Sequence, residues 1–312
     1  MIATVTLNPS LDEWMELPSL RVGELNRATG FARYAGGKGI NVSRVVRELG
    51  GQTVAFAPAG GDDGVILRGL MRDLSIPHEF VSVRGSTRNN YKIRTRNPRA
   101  LTEINPEGPR VSRQILTILL QRLLTRNPRP HCVALCGSLP PGAPTSIYQQ
   151  WIRSFRRLRI PAVLDASGKA LAHGVAARPW LIKPNRQEAE ELLQRRLRRQ
   201  RQFVRAVQQL LRRGPELVIL SLGKDGAMLA SAARGGVWRA RPPTVKVDSA
   251  VGAGDSLVAG FLVGWLRRQP LLEAFRLAVA CGTASAMTPG TQLCRRTDVY
   301  RLLRRVTIHR VA

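Results

Sequence analysis

Short apolar runs alternate with helix-patterned stretches along most of this chain, and that alternation leaves few architectures open. Ile2 to Leu7, Thr53 to Pro58, His131 to Cys136, Ala162 to Asp165, Trp180 to Ile182 and Leu217 to Ser221 read as strands buried on both sides. Helices fit at Ile40 to Leu49, near Val65 to Leu74, and at about 144–157, 186–193 and 200–213. Such a succession implies an α/β fold, a mostly parallel sheet with helices on both faces. Ligands of such sheets bind at the carboxyl ends of the strands. Two stretches break the rhythm. Leu11 to Tyr34 and Val81 to Ile104 are polar, strand-like and poor in helix signals. They predict a small β-sheet flap, inserted at about 11–35 and 81–105 into a single domain spanning 1–312.

Several classes are disfavoured by composition. Met1 leads directly into the first strand, with no basic region, apolar stretch and cleavage site of a signal peptide. The longest apolar run, Leu257 to Leu266, is about half the length needed to cross a bilayer. The expected location is the cytoplasm, with no membrane partner. Four cysteines in 312 residues make no disulfide framework. Cys132 and Cys136 have a C-x3-C spacing inside an apolar strand and no matching His pair, so they read as buried thiols rather than zinc ligands.

The formal net charge is +28, with arginine runs at Arg153 to Arg159 and Arg195 to Arg205. One reading is a polyanion or nucleic-acid surface. The other, preferred on sequence, is replacement of lysine by arginine on ordinary surfaces. Only six lysines occur, and Lys38, Lys183 and Lys224 fall inside glycine-rich or strand-end motifs. Lysine is thus kept where a compact ammonium has a specific role.

The segment Val251-Gly252-Ala253-Gly254-Asp255-Ser256 precedes the apolar helix. Small residues allow close backbone approach to a ligand, and the helix start offers unpaired amides and the positive end of its dipole. That arrangement suits a transferring phosphoryl group. A carboxylate at an anion site makes sense if Asp255 accepts the proton of an attacking hydroxyl. The alternative is a glycine turn with Asp255 as a helix cap. No G-x4-G-K-[ST] or G-x-G-x-x-G sequence supports a P-loop or a dinucleotide site. Gly36-Gly37-Lys38-Gly39-Ile40-Asn41 opens another helix with amides, an ammonium and a carboxamide. Asp12, after Asn8-Pro9-Ser10-Leu11, holds ligand hydroxyls or caps a turn. Lys183-Pro184-Asn185 ends a strand, and Asn185 with Glu188 organises Mg²⁺ and its water, forms a helix capping box, or does both. Ser221-Leu222-Gly223-Lys224-Asp225-Gly226 wraps a nucleotide or closes a hairpin.

In this order, together with Gly137-Ser138-Leu139-Pro140-Pro141-Gly142, these segments resemble the ribokinase/PfkB carbohydrate kinases from Thr4 to about Val306. The phosphofructokinase and tagatose-6-phosphate kinase branch is the nearest. Thr87-Arg88-x-Asn90, Thr102-Glu103-Ile104-Asn105 and Gly108-Pro109 are similar to the lid region of 1-phosphofructokinases, and Lys38 fits both these and tagatose-6-phosphate kinases. Pro58-Ala59-Gly60-Gly61 and Pro289-Gly290-Thr291-Gln292-Leu293-Cys294 lean toward the family's 6-phosphofructokinases.

The resemblance implies a ribokinase-like (Rossmann-like) domain with a β-sheet lid, commonly a homodimer through the lids. It implies Asp255 as catalytic base, with the amides of Gly252, Ala253 and Gly254 as anion hole. Asp12, Gly37, Asn41 and Ser138 would hold the sugar, and Lys38, Arg88 and Asn90 its phosphate or nearby hydroxyls. Lys183, Asn185, Ser221, Gly223 and Gly226 would meet ATP, with Glu188 acting through Mg²⁺ and water. A monovalent cation such as K⁺ is implied near Ser249, Val251 and Ser285, although Ser249 replaces the carboxylate of ribokinases. The implied reaction is ATP-dependent phosphorylation of fructose 1-phosphate to fructose 1,6-bisphosphate. Fructose 6-phosphate and tagatose 6-phosphate are the alternatives. A nucleoside or simple-sugar kinase, and a nucleic-acid-binding protein on a kinase scaffold, are the readings from other classes. The lid cations Lys38, Arg88 and Lys92 argue for a phosphorylated substrate.

Overall fold

The computed structural model describes residues 1–312. In chain order, β1 (Ile2–Thr6), β2 (Ser10–Leu17) and β3 (Gly30–Gly36) precede α1 (Lys38–Glu48), β4 (Thr53–Ala59) and α2 (Gly61–Asp73). Next come β5 (His78–Ser82), β6 (Arg88–Thr95), β7 (Ala100–Ile104), α3 (Arg113–Thr125) and β8 (Cys132–Cys136). The middle of the chain holds α4 (Ile147–Arg157), β9 (Ala162–Asp165), α5 (Gly168–Ala176), β10 (Leu181–Ile182), α6 (Arg186–Leu193) and α7 (Gln200–Arg212). It ends with β11 (Leu217–Ser221), β12 (Ala227–Ser231), β13 (Gly236–Arg241), α8 (Ala253–Leu266), α9 (Leu271–Met287), α10 (Arg296–Leu303) and β14 (Thr307–Arg310).

Ten strands form the main sheet in the order β14-β13-β12-β11-β10-β9-β8-β1-β4-β5. From β11 to β5 all neighbours are parallel, and β12, β13 and β14 add an antiparallel margin. The alternation expected from sequence is therefore present, and the margin is an extension that the short runs after Ser221 did not announce. Strand side chains divide between two layers. Val5, Phe56, Leu135 and Leu164 pack with α3 to α7, and Ile2, Ala134, Val163 and Ile219 pack with α1, α8, α9 and α10. Burial on both faces explains why these strands read as continuous apolar runs. Helix α8 is apolar nearly all round because α1 and α9 cover it on both sides. All four cysteines are free and buried.

A second, four-stranded sheet has the order β3-β2-β6-β7. Its strands occupy the two polar stretches, with β2 beginning one residue early at Ser10 and β3 running on to Gly36. Val81 and Ser82, grouped with the flap on sequence, instead end β5 and pair with Pro58 and Ala59 in the main sheet. The small sheet leans on the main domain near the strand ends. There Arg94 of β6 makes a two-pronged ion pair with Asp248, at 2.8 and 2.6 Å, and Arg99 adds a third contact at 3.1 Å. Asp248 lies just before the Val251–Asp255 segment, so the flap is tied to the loop that leads into α8.

Candidate active site

The carboxyl ends of β1, β8, β9, β10 and β11 and the starts of α1 and α8 converge beneath the inner face of the small sheet. Gly252 caps α8 with φ +74°, and a Cβ there would lie 2.2 Å from Leu293, so both the backbone and the space require glycine. Asp255 follows in the first turn of α8, buried, and Asn41 Nδ2 donates to its Oδ2 at 2.8 Å. Burial pushes the Asp255 carboxyl up to about 6. The charge of Lys38 and the Asn41 hydrogen bond oppose that rise, and nearby Asp165 adds to it. An acid tuned to this range is ionised at neutral pH yet basic enough to take a proton.

Asn41 is itself held in place. Arg44, one turn further along α1, donates to Asn41 Oδ1 at 3.3 Å, to the Ala35 carbonyl at 3.1 Å and to the Thr291 carbonyl at 2.9 Å. Its contact with Oδ1 leaves Nδ2 facing Asp255. Burial pulls the Arg44 guanidinium down to about 10, so it stays charged at neutral pH. Sequence reasoning passed over Arg44, and its i,i+3 spacing from Asn41 was the available signal.

The second group that sequence reasoning missed is Asp165, fully buried at the end of β9. Its Oδ1 meets Lys38 Nζ at 3.1 Å and Lys183 Nζ at 3.3 Å. Burial alone would raise its carboxyl, but Lys183 and Lys38 win and hold it below the usual range. The Asp165 charge in turn holds the Lys38 ammonium above its ordinary value. Lys38 also lies 3.9 Å from Glu188 Oε1. The glycine-rich start of α1 and the strand-end Lys183 thus share one buried carboxylate. Gly37, with φ +110°, caps α1 just before Lys38.

Asn185 and Glu188 close a reciprocal capping box. Glu188 N donates to Asn185 Oδ1 at 2.9 Å, and Asn185 N donates to Glu188 Oε2 at 2.8 Å. The cap uses one lone pair of Asn185 Oδ1 and leaves the other. Glu188 keeps Oε1 outside the cap, and burial raises its carboxyl. Ser221 N donates to the Pro184 carbonyl at 3.0 Å, placing the 221–226 turn beside Lys183. Gly223 at the tip has open space around it, and Gly226 packs against the Ala240 carbonyl.

On the small sheet, Asp12 Oδ1 accepts from Ser10 Oγ at 3.0 Å and Asn90 Nδ2 at 3.1 Å, and its Oδ2 pairs with Lys92 at 3.3 Å. Lys92 is buried against that carboxylate. Its charge is answered by that carboxylate, with Glu103 3.9 Å away. Arg88 differs. It donates to the Asn8 carbonyl at 3.1 Å and the Pro106 carbonyl at 3.2 Å and has no carboxylate partner. Asn8 Nδ2 donates to Ser138 Oγ at 3.3 Å, bringing Ser138 to the same corner. A half-buried guanidinium bonded only to carbonyls retains its full charge for an incoming anion.

The three residues assigned to a monovalent cation are only partly free. Val251 N donates to Ser249 Oγ at 3.3 Å, and Ser249 N donates to the Ala286 carbonyl at 3.3 Å. Ser285 Oγ is 2.6 Å from Ser256 Oγ, and its carbonyl accepts from Thr288 at 2.8 Å. Its hydroxyl joins α9 to α8, and its carbonyl closes the end of α9.

Comparison with known proteins gives a consistent picture. The pattern of the pfkB family carbohydrate kinases matches residues 5–298. The chain is 36% identical over 311 residues to the 1-phosphofructokinase of Bacillus subtilis (strain 168), covering 100% of both chains. It is 35% identical over 303 residues to the ATP-dependent 6-phosphofructokinase isozyme 2 of Mycobacterium tuberculosis, covering 96% of this chain and 88% of that protein. Among solved structures it superimposes on phosphofructokinase-2 of Escherichia coli, in complex with substrates and products, with a TM-score of 0.92 and 31% identity, covering 97% and 98% of the two chains. That enzyme has also been solved with potassium and in a tetrameric inhibited form.

Proposed function

We infer the reaction from the premise that this chain belongs to the pfkB family of carbohydrate kinases: it transfers the γ-phosphoryl of ATP to the C6 hydroxyl of fructose 1-phosphate. The observation that carries this reading is the buried Asp255 at the start of α8, raised to about 6 and aimed by Asn41. The hydroxyl of the sugar lies between Asp255 and the γ-phosphorus. As the O–H bond breaks toward Asp255, the sugar oxygen bonds to phosphorus and the bond to the ADP oxygen breaks. The amides of Gly252 and Gly254 and the α8 dipole meet the charge on the phosphoryl oxygens, joined by the Ala253 amide when it leaves the Ala250 carbonyl, 3.3 Å away in this structure. Lys183, with the 221–226 turn, holds the nucleotide phosphates, and Lys38 sits between nucleotide and sugar. Asp12, Gly37, Asn41, Asn90 and Ser138 take the sugar hydroxyls, and Arg88 takes the phosphate the sugar already carries.

Glu188 Oε1, which lies outside the cap and 3.9 Å from Lys38, and the unpartnered buried Oδ2 of Asp165 suit Mg²⁺ held mostly through water. The ion would supply charge neutralisation on the nucleotide phosphates. A K⁺ site would draw on Ser249 and Val251 rather than Ser285. A homodimer through the lid is supported by the sheet's outer face, where Met15 pairs with Phe31 and Ile93, and Tyr91 with Ile104. Phe31 and Ile104 are more than half exposed there, at 61% and 52%. No helix is long and apolar enough to cross a membrane. We place the enzyme in the cytoplasm, with its substrates.

Phosphorylation at C1 of fructose 6-phosphate is the second reading, favoured by the 35% identity to a 6-phosphofructokinase isozyme; tagatose 6-phosphate would follow the same route. ATP consumption measured with fructose 1-phosphate, fructose 6-phosphate, tagatose 6-phosphate and free fructose separates these. The expected result is a kcat/KM for fructose 1-phosphate at least tenfold above the others. A higher value for fructose 6-phosphate would reverse the assignment, and equal rates with free fructose would remove the role of Arg88.

The titration of Asp255 sets a pH dependence. A general base must be ionised, so kcat/KM, which reports the free enzyme, should fall about tenfold per pH unit below the Asp255 value of about 6. The substrate phosphate titrates in the same range, so its own ionisation, followed separately by ³¹P NMR, is divided out of the profile. A corrected kcat/KM that stays level to pH 5 would count against Asp255 as the base.

A further inference from the structure

Between Arg110 and Arg213 the chain carries 21 basic side chains and four acidic ones, so about a third of the residues supply +17 of the net +28. This segment provides α3 to α7, all packed on one face of the main sheet. Of its four acids, Asp165 is buried and Glu188 lies in the active site, which leaves Glu190 and Glu191 outside. Exchange of lysine for arginine explains the shortage of lysine but not the shortage of acids on this face. Here Arg153, Arg157 and Arg159 of the α4 end and Arg198, Arg199, Arg201 and Arg205 of the α7 start are exposed, and none has a carboxylate within 4.0 Å. The four α7 arginines and Gln202 line a depression of about 370 Å³ that contains no apolar side chain. The opposite face is more nearly balanced. There Arg276 pairs with Glu273, Arg301 pairs with Asp298, and Arg267 donates to the Leu49 carbonyl.

We propose that the α3–α7 face is a docking surface for the phosphodiester backbone of double-stranded nucleic acid. The planar fork of arginine suits phosphate oxygens, and unpaired guanidiniums gain most from releasing the counterions of a polyanion. Ten strands at about 4.8 Å spacing make the sheet under these helices roughly 40 Å across, comparable to one turn of duplex. The only large apolar side chain exposed on this face is Leu158, at 37%. Exposed aromatic rings, which would stack on single-stranded bases, are absent from the face, and so is the apolar stripe of a membrane-surface helix. The contact is therefore to backbone and independent of sequence.

The test is fluorescence anisotropy with a labelled 30-base-pair duplex of arbitrary sequence, titrated from 50 to 300 mM KCl. The intact protein should bind in the micromolar range or tighter at 150 mM, with log K falling linearly against log salt. The variant R198Q/R199Q/R201Q/R205Q should bind at least tenfold more weakly, with a slope shallower by about one unit per lost contact. A charge-matched control on the opposite face, R47Q/R268Q/R304Q/R305Q, should bind as the intact protein does. Kinase activity of both variants verifies that they fold. The proposal is overturned by absence of binding at 150 mM, by equal losses in the two variants, or by equal affinity for single-stranded RNA or anionic vesicles.

Discussion

Asp255→Asn should lower kcat by about a hundredfold or more, the contribution of a positioned general base, while KM for ATP changes little. The nucleotide meets Lys183 and the 221–226 turn, neither of which touches Asp255. Unfolding would not explain the loss, because the substitution removes an unfavourable charge. The folded state raises the Asp255 carboxyl from 3.8 to about 6. The ionised form therefore costs stability, a cost that develops from pH 4 upward and is complete above pH 6. At pH 7.5 the asparagine variant should melt at the same temperature as the parent or higher, since Asn41 can still donate to the new amide oxygen. A variant with near-normal turnover would remove Asp255 from the role of base. One that melts well below the parent would show that its charge stabilises the fold, against the direction of its shift.

The second large effect is expected at Asp165. Its carboxylate is the common partner of Lys38 and Lys183, and Lys183 is 3% exposed. Asp165→Ala leaves a buried ammonium unanswered, which costs about 3–5 kcal/mol in comparable sites. Because Asp165 is held below its ordinary range, this stabilisation is present at neutral pH and is lost as pH falls through the acid range. Urea unfolding of the variant at pH 7.5 should show the loss, and KM for ATP should rise as Lys183 drifts. An unchanged urea midpoint would mean that the two lysines are neutralised by other groups.

The parts of the site that could be read in advance are those whose chemistry is local. The glycines of 36–41 and 252–254 announce close approach at helix starts, and Asn185-x-x-Glu188 announces the capping box that forms. Asp165 gave no such sign. It is a lone acid at the end of an apolar run, and its importance follows from strand order, which places β9 between β8 and β10. The partner of Lys92 was hidden for a related reason. A cation in a polar strand shows no carboxylate neighbour until the register is known. Pairing of Asp12 with Asn90 across β2 and β6 puts Lys92 on the same inner face, within reach of the Asp12 carboxylate. The Arg94–Asp248 contact joins residues 154 positions apart and has no local signature. Val81 and Ser82 adjoin the polar stretch in sequence, and it is their pairing with β4 that assigns them to the main sheet.

Phosphoryl transfer to the sugar with Asp255 as base can be followed by ³¹P NMR of a reaction containing fructose 1-phosphate and ATP. A new resonance is expected from a phosphate on C6 of a ketohexose bisphosphate, growing as the γ-phosphate signal of ATP declines, and absent over the same time with Asp255→Asn. ATP decaying to inorganic phosphate without a second sugar phosphate, or a bisphosphate formed equally fast by both proteins, would contradict it.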